Sequence, residues 1–349
     1  MATVIMKEMG LSHTGFGFVF SVAMIGLILF RIPWGLIGDK IGYVDALRIA
    51  LPISATSAII RALSSSHISL LLSQFFLGLS LAAILPCLAL LVKERSAETA
   101  GLSTGIYVSG FAVGNATALG LTPYLLERMA WRGVLLLYAC IAVVVSGLWW
   151  GLARDTSKRI SQFEFQNFKK VLRERHLWVL LLFMIASMGS YDTLATWMPK
   201  VLEMKGLNRA LASLLALGFL LAGPTVGSAL DKFRNRKAIV ALLGALATAS
   251  ILGINYALPP LLLLCIFLSG FAIIGMLTIS LVVPAEHERL SVSVGGTVGL
   301  ISSLGNIGPL LMPVIFGLLI DLTNTFQASV LSVAILAGVT FILGSRLGD

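Results

Sequence analysis

The sequence predicts an all-α integral membrane protein of two helical bundles, with eleven transmembrane helices. Three observations lead there. Of the 349 residues, 58% are hydrophobic and 12% charged, with a mean hydropathy of +0.97, whereas soluble domains carry about a quarter charged residues. The apolar residues gather in eleven runs, each long enough for the ~20-residue helix that crosses a bilayer. Part of the pattern also occurs twice. Backbone groups find no water in hydrocarbon, so an open chain crosses it as helices. A charge placed there costs about 2.5–3.5 kcal/mol.

The predicted spans, in order, are 14–38, 44–63, 68–92, 100–126, 133–153, 177–199, 209–230, 238–257, 259–283, 292–320 and 326–345. Ahead of them, Met1 to Ser12 lacks an apolar core and reads as a loop rather than a cleavable signal peptide. The first two spans are joined tightly through Gly35, Gly38, Asp39, Lys40 and Gly42. Glycines there let helices approach closely, and the charges suit a water interface. The longest polar segment, 154–176, reads as a linker between an N-terminal bundle (1–153) and a C-terminal bundle (177–349). Its Phe163, Phe165 and Phe168 offer a secondary contact with lipid headgroups.

Orientation follows from the basic residues. Most of the 25 Lys and Arg, including Lys40, Arg48, Lys93, Arg154 and Lys232, fall on one side, which is expected to be cytoplasmic. The C-terminus is then inside and the N-terminus outside. The net charge of +9 reflects those loops beside an anionic bilayer surface, not a nucleic-acid partner. Cys87, Cys140 and Cys265 stand alone in apolar runs, with no disulfide or metal spacing, and no cofactor is expected.

The repeat has two parts. M-K-E-M-G-L-S at 6–12 is echoed by V-L-E-M-K-G-L-N at 201–208. G-L-I-G-D-K at 35–40 is echoed by G-S-A-L-D-K at 227–232, so Gly227, Asp231 and Lys232 answer Gly35, Asp39 and Lys40.

Gly35, Asp39, Lys40 and Gly42 resemble the loop signature G-x-L-a-D-r-x-G-r-k of the major facilitator superfamily, although Tyr43 and Val44 replace its last basic pair. Ala130-Trp131-Arg132-Gly133 is similar to the tryptophan–arginine pair that often opens the sixth helix of that family. The resemblance covers the chain from Lys7 onward. It implies two parallel six-helix repeats and a secondary transporter of a small solute, working by alternating access. It also implies a monomer in the plasma membrane rather than an enzyme. Asp39 would brace the N-terminal bundle against the C-terminal bundle in one state. The counterpart of the 177–199 span would lie before residue 1, so the first family helix is expected to be absent through a late start or truncation. A true eleven-helix variant is the other reading.

Polar residues within spans are the candidates for function. Arg31 faces a cavity or an anionic ligand, or else it snorkels or pairs with a helix C-terminus. Its R-I-P-W context resembles the second helix of nitrate/nitrite porters, where the matching arginine holds the anion. Asn115 and Asn306, each after a glycine on repeat-related spans, line a cavity or hydrogen-bond between helices. The G-N-x-G at 305–308 is similar to the nitrate signature of those porters. Their second arginine is missing, because Gly223 stands in its place. A small anion such as cyanate, a nitrate-like ion or a monocarboxylate is therefore expected. Asp192 either binds a coupling proton or makes a structural hydrogen bond, and Tyr191 serves either role.

Two rival functions are weaker. A proton-coupled exporter of drugs or metabolites usually carries an arginine where Gln74 stands and a G-P pair where Asn115 follows Gly114. A non-transporting sensor or scaffold would be supported by a soluble domain or long tail, which is not seen in the sequence. Gly101 to Gly105 fits a serine-hydrolase elbow by letter, but no histidine lies within a span to partner Ser103.

Overall fold

The computed structural model describes residues 5, 8–10, 13–154, 170–233 and 236–344, and among these the regular structure is entirely helical. The helices are α1 (His13–Ile41), α2 (Tyr43–Ala62), α3 (His67–Leu81), α4 (Ile84–Arg95), α5 (Ala100–Leu126) and α6 (Trp131–Leu152). After them come α7 (Arg175–Met204), α8 (Ser213–Lys232), α9 (Arg236–Tyr256) and α10 (Leu261–Glu286). The last three are α11 (Val294–Gly305), α12 (Ile307–Thr323) and α13 (Gln327–Gly344). Nine stretches among the described residues are long and apolar enough to cross a membrane. Helices α5 and α13 occupy two further predicted spans without being among those nine.

Two predicted spans are broken in the middle, and proline explains both breaks. A proline has no N–H for the carbonyl four residues earlier, and its ring crowds that carbonyl. Pro86 stands four residues after Ala82, where α3 gives way to α4. Pro309 stands four residues after Gly305, where α11 ends, and Asn306 caps α12 at φ −68° and ψ −7°.

The chain divides into two compact units. The first comprises Met1–Glu94, Gly114–Lys169 and Val292–Ser303. Here the Trp34 indole donates to the Leu79 carbonyl at 2.8 Å, tying α1 to α3. Trp149 and Trp150 donate to the carbonyls of Val44 and Arg48, tying the end of α6 to the start of α2. The second unit comprises Arg95–Val113, Lys170–Ser291 and Leu304–Asp349. In it, Trp197 on α7 donates to the Pro313 carbonyl of α12 at 3.0 Å. Each indole thus satisfies its one donor on a helix carbonyl, with the Trp34 ring buried and the Trp150 ring exposed.

One expectation fails at the start of the chain. Residues Met1 to Ser12 were expected to form a loop, but Ile5, Glu8 and Met9 are helical. Ile5 is buried against Val19, Ala62, Leu70, Trp131 and Leu135, and Met9 packs against the same cluster. The Glu8 carboxylate accepts from the Trp131 indole and the Arg132 guanidinium. Gly10 and Gly206, which follow the echoed Glu-Met pairs, both adopt left-handed backbone, with φ of 63° and 72°. That conformation favours glycine after a helix end. Most of the predicted linker, including its three phenylalanines, lies outside the described residues.

Candidate functional site

The repeat is clearest where helix backbones touch. A Cβ on Gly26 of α1 would lie 2.6 Å from the Phe75 carbonyl of α3, and one on Gly78 would lie 1.9 Å from that of Ala23. Displaced by 192 residues, Gly218 of α8 meets Phe267 of α10 at 2.2 Å, and Gly270 meets Leu215 at 2.2 Å. Only glycine permits such crossings.

A second pair of crossings carries the signature aspartates. In the first unit, Gly35 of α1 and Gly295 of α11 exclude each other's Cβ, at 2.1 and 2.3 Å from the facing carbonyl oxygens. One turn on, Asp39 accepts from the backbone N–H of Gly295 at 2.9 Å, from that of Gly296 at 2.8 Å, and from the Ser293 hydroxyl. In the second unit, Gly227 of α8 meets Gly101 of α5, and Asp231 accepts from the N–H groups of Gly101 and Leu102 at 2.7 and 2.8 Å. Each carboxylate therefore satisfies free donors at a helix N-terminus, where the helix dipole also favours an anion. Gly38 packs on Leu90 and Cys87, while Lys40 and Lys232 are exposed and Gly42 starts α2 at φ 86°.

The same interfaces hold a hydroxyl that sequence reasoning missed. Ser303 donates to the Ile28 carbonyl at 2.6 Å, and Ser109 donates to that of Leu220 at 2.9 Å. The serines lie 194 residues apart, as do Gly101 and Gly295. The G-x-x-x-G spacing at 101–105 and 295–299 was the available signal.

That register corrects one expectation. Asn115 and Asn306 were paired by their preceding glycines, but the contacts align Asn306 with Ala112 and Asn115 with Pro309. The two amides are three residues out of register, close to one helical turn. Their glycines differ as well. A Cβ on Gly305 would lie 2.4 Å from Met184, whereas Gly114 has nothing within 4 Å and makes no close approach. Asn306 is buried at the α11–α12 break. Asn115 lies on α5, with its side chain outside the described residues.

Arg31 breaks the symmetry. It is 6% exposed, and its Nη1 donates to the Ser302 carbonyl at 2.8 Å. That carbonyl belongs to the last turn of α11, where the dipole favours a cation. The guanidinium therefore pairs with a helix C-terminus rather than snorkelling. Its Nε has no acceptor among the described residues. At the repeat-related place, Gly223 of α8 leaves room for the Gly105 carbonyl, 2.4 Å from where a Cβ would be. Tyr191 and Asp192 lie together on α7, half-buried. The Tyr191 ring meets Phe219 edge to face at 5.0 Å, and no donor reaches the Asp192 carboxylate among the described residues. No cluster of three or more potential metal ligands occurs among the described residues.

A duplicated set of apolar helices, joined by glycine crossings and aspartate-capped helix starts, defines a multi-pass membrane transporter scaffold. The family model described as Major Facilitator Superfamily matches residues 1–288 and 209–347, and the chain belongs to that family. It is similar to the nitrite extrusion protein of Bacillus subtilis, 24% identical over 345 residues, covering 96% of this chain and 86% of that protein. It is also similar to a probable nitrate/nitrite antiporter of Thermus thermophilus, 24% identical over 377 residues, covering 97% of this chain and 84% of that protein. Its fold matches the fucose:proton symporter of E. coli with a TM-score of 0.80 at 13% identity, covering 99% of this chain and 94% of that chain. The chain is a transporter of this superfamily, not an enzyme.

Proposed function

We propose that this chain is a secondary transporter of a small anion, a nitrate-like ion, cyanate or a monocarboxylate, with Arg31 as its anchor. One observation carries the reading. A buried guanidinium, whose partner among the described residues is a backbone carbonyl, keeps a net positive charge that an anion can neutralise. Relatives named for nitrite and nitrate support it. Asn115, Asn306 and Tyr191 supply the polar lining, and Asp192, which lacks a described donor, takes up the coupling proton. The bundles 1–153 and 177–349 alternate access about the 154–176 linker. Eleven helices cross the plasma membrane, with the C-terminus cytoplasmic and the N-terminus outside. The caps at Asp39 and Asp231 form and release during the cycle.

The test is thermal unfolding of the purified protein with nitrate, nitrite, cyanate, formate and cationic amphiphiles. A ligand at ~100 Kd that binds only the folded state adds about 2.7 kcal/mol. Stabilisation by one anion, abolished in Arg31→Ala, is the expected result. Stabilisation by amphiphiles alone would overturn the anion reading in favour of an exporter.

A further inference from the structure

A second arginine in the first unit is also turned into the span. Arg61 occupies the last turn of α2, one turn after Ser57, whose hydroxyl donates to the Ser73 carbonyl of α3. Its own Nη1 reaches the Gln74 amide oxygen at 3.3 Å, one residue deeper along α3 than Ser73. Helix side chains lean toward the N-terminus of their helix. For a residue in the last turn of α2, that direction leads away from the Leu63–Ser66 turn and into the unit. A snorkelling arginine would point the other way. It would also stay beside the free carbonyls at its own helix end, which favour a cation.

The donors there outnumber the acceptors. Arg61 has no carboxylate partner among the described residues, and its buried Nε has no acceptor. Gln74 is buried and spends its oxygen on Arg61, so its amide N–H groups are left to donate elsewhere. The repeat offers no copy of this pair, because displacement by 192 residues leads to Gly253 and Ile266. The pair is therefore not part of the duplicated scaffold. Arg61 and Gln74 join α2 to α3, whereas Arg31 reaches from α1 to α11, so the two polar places lie on different helix pairs of the same unit.

We infer that Arg61 and Gln74 form a second subsite for a small planar anion, separate from Arg31 and serving the same transport. The subsite rests on the anion reading above. Nε and one terminal nitrogen of Arg61 present the parallel fork that planar oxyanions accept, and the Gln74 amide adds a third donor. With Arg31, the first unit then supplies two cations for an anion, although the second repeat has glycine at the position matching Arg31.

Nitrate, formate and chloride binding by the full chain is measured by calorimetry and thermal shift, for the native protein and for Arg61→Ala, Arg61→Lys and Gln74→Leu. Arg61→Ala should weaken nitrate and formate binding about tenfold or more, as expected for losing charge-assisted hydrogen bonds. Arg61→Lys keeps the charge but loses the fork, so it should weaken planar nitrate and formate while sparing spherical chloride. Gln74→Leu should weaken nitrate less than Arg61→Ala does. If Arg61→Ala does not fold, Arg61→Lys and Gln74→Leu decide the matter. Native nitrate affinity in the folded variants would overturn the subsite and leave the Arg31 reading standing. Failure of every anion to bind the native protein would overturn both.

Discussion

Arg31 donates to the carbonyl of Ser302, so the cation on α1 caps the C-terminal end of α11. A proline-made helix break thereby acquires a positive group. A buried charge carries a desolvation cost, so one that the scaffold does not need can be replaced by an apolar residue of similar size with little loss, or with a gain. Arg31→Met is therefore expected to keep or raise the melting temperature while abolishing anion-dependent stabilisation and flux. A large fall in melting temperature without ligand would assign Arg31 to the scaffold instead.

The glycine crossings predict where bulk is forbidden. Gly35→Ala places a methyl 2.1 Å from the Gly295 carbonyl oxygen and should destabilise by about 1–3 kcal/mol or more. Gly114→Ala meets nothing within 4 Å and should be neutral or slightly stabilising. Melting curves of the two variants in detergent, side by side, check the contrast.

The aspartate caps should be separable by hydrogen exchange. Asp39→Asn should speed exchange at the Gly295 and Gly296 amides, with Gly101 and Leu102 unchanged, and Asp231→Asn should do the reverse. A charge at a helix N-terminus contributes about 0.3–2 kcal/mol, so the acceleration should range from under twofold to roughly thirtyfold. Equal acceleration at both helix starts in either variant would contradict two separate caps.

Ser303→Ala and Ser109→Ala each remove one interhelical hydrogen bond, worth about 0.6 kcal/mol. The bonds share no partner, so the double variant should lose the sum of the single losses. Denaturant titrations of the four proteins measure it.

A pH dependence is expected at the end of α10. His287 packs against His176 with ring centroids 4.7 Å apart, beside the Glu174–Arg289 ion pair. Burial, and then the neighbouring imidazole, hold its pKa below the ordinary histidine value. Folding therefore favours the neutral ring. The contribution is complete above about pH 6.5 and is lost as pH falls through the lowered folded value. The melting temperature should drop on acidification from pH 7.5 to 5.5, and His287→Phe should flatten that slope.

Much of the scaffold was legible because hydropathy and spacing are written in side chains. Asp39 and Asp231 announced their equivalence through flanking glycines and lysines. Hydropathy is blind to helix breaks, however, so the spans at 68–92 and 292–320 read as continuous although Pro86 and Pro309 were in plain view. The partners of Arg31, Ser109 and Ser303 are backbone carbonyls, which no letter of the sequence distinguishes. The Gly-Asn pairs misled because two matching letters outweighed the G-x-x-x-G register that the contacts obey. Ile5 escaped notice because the apolar residues of Met1–Ser12 make no run long enough to cross a bilayer, and the segment therefore reads as a loop.

The meeting of Gly223 with Gly105 also limits what can be built into the second repeat. Where α5 and α8 touch, a Cβ at 223 would lie 2.4 Å from a carbonyl oxygen. Gly223→Arg therefore cannot copy Arg31 onto the second repeat while that contact holds, and a designed second cation fits better on another helix.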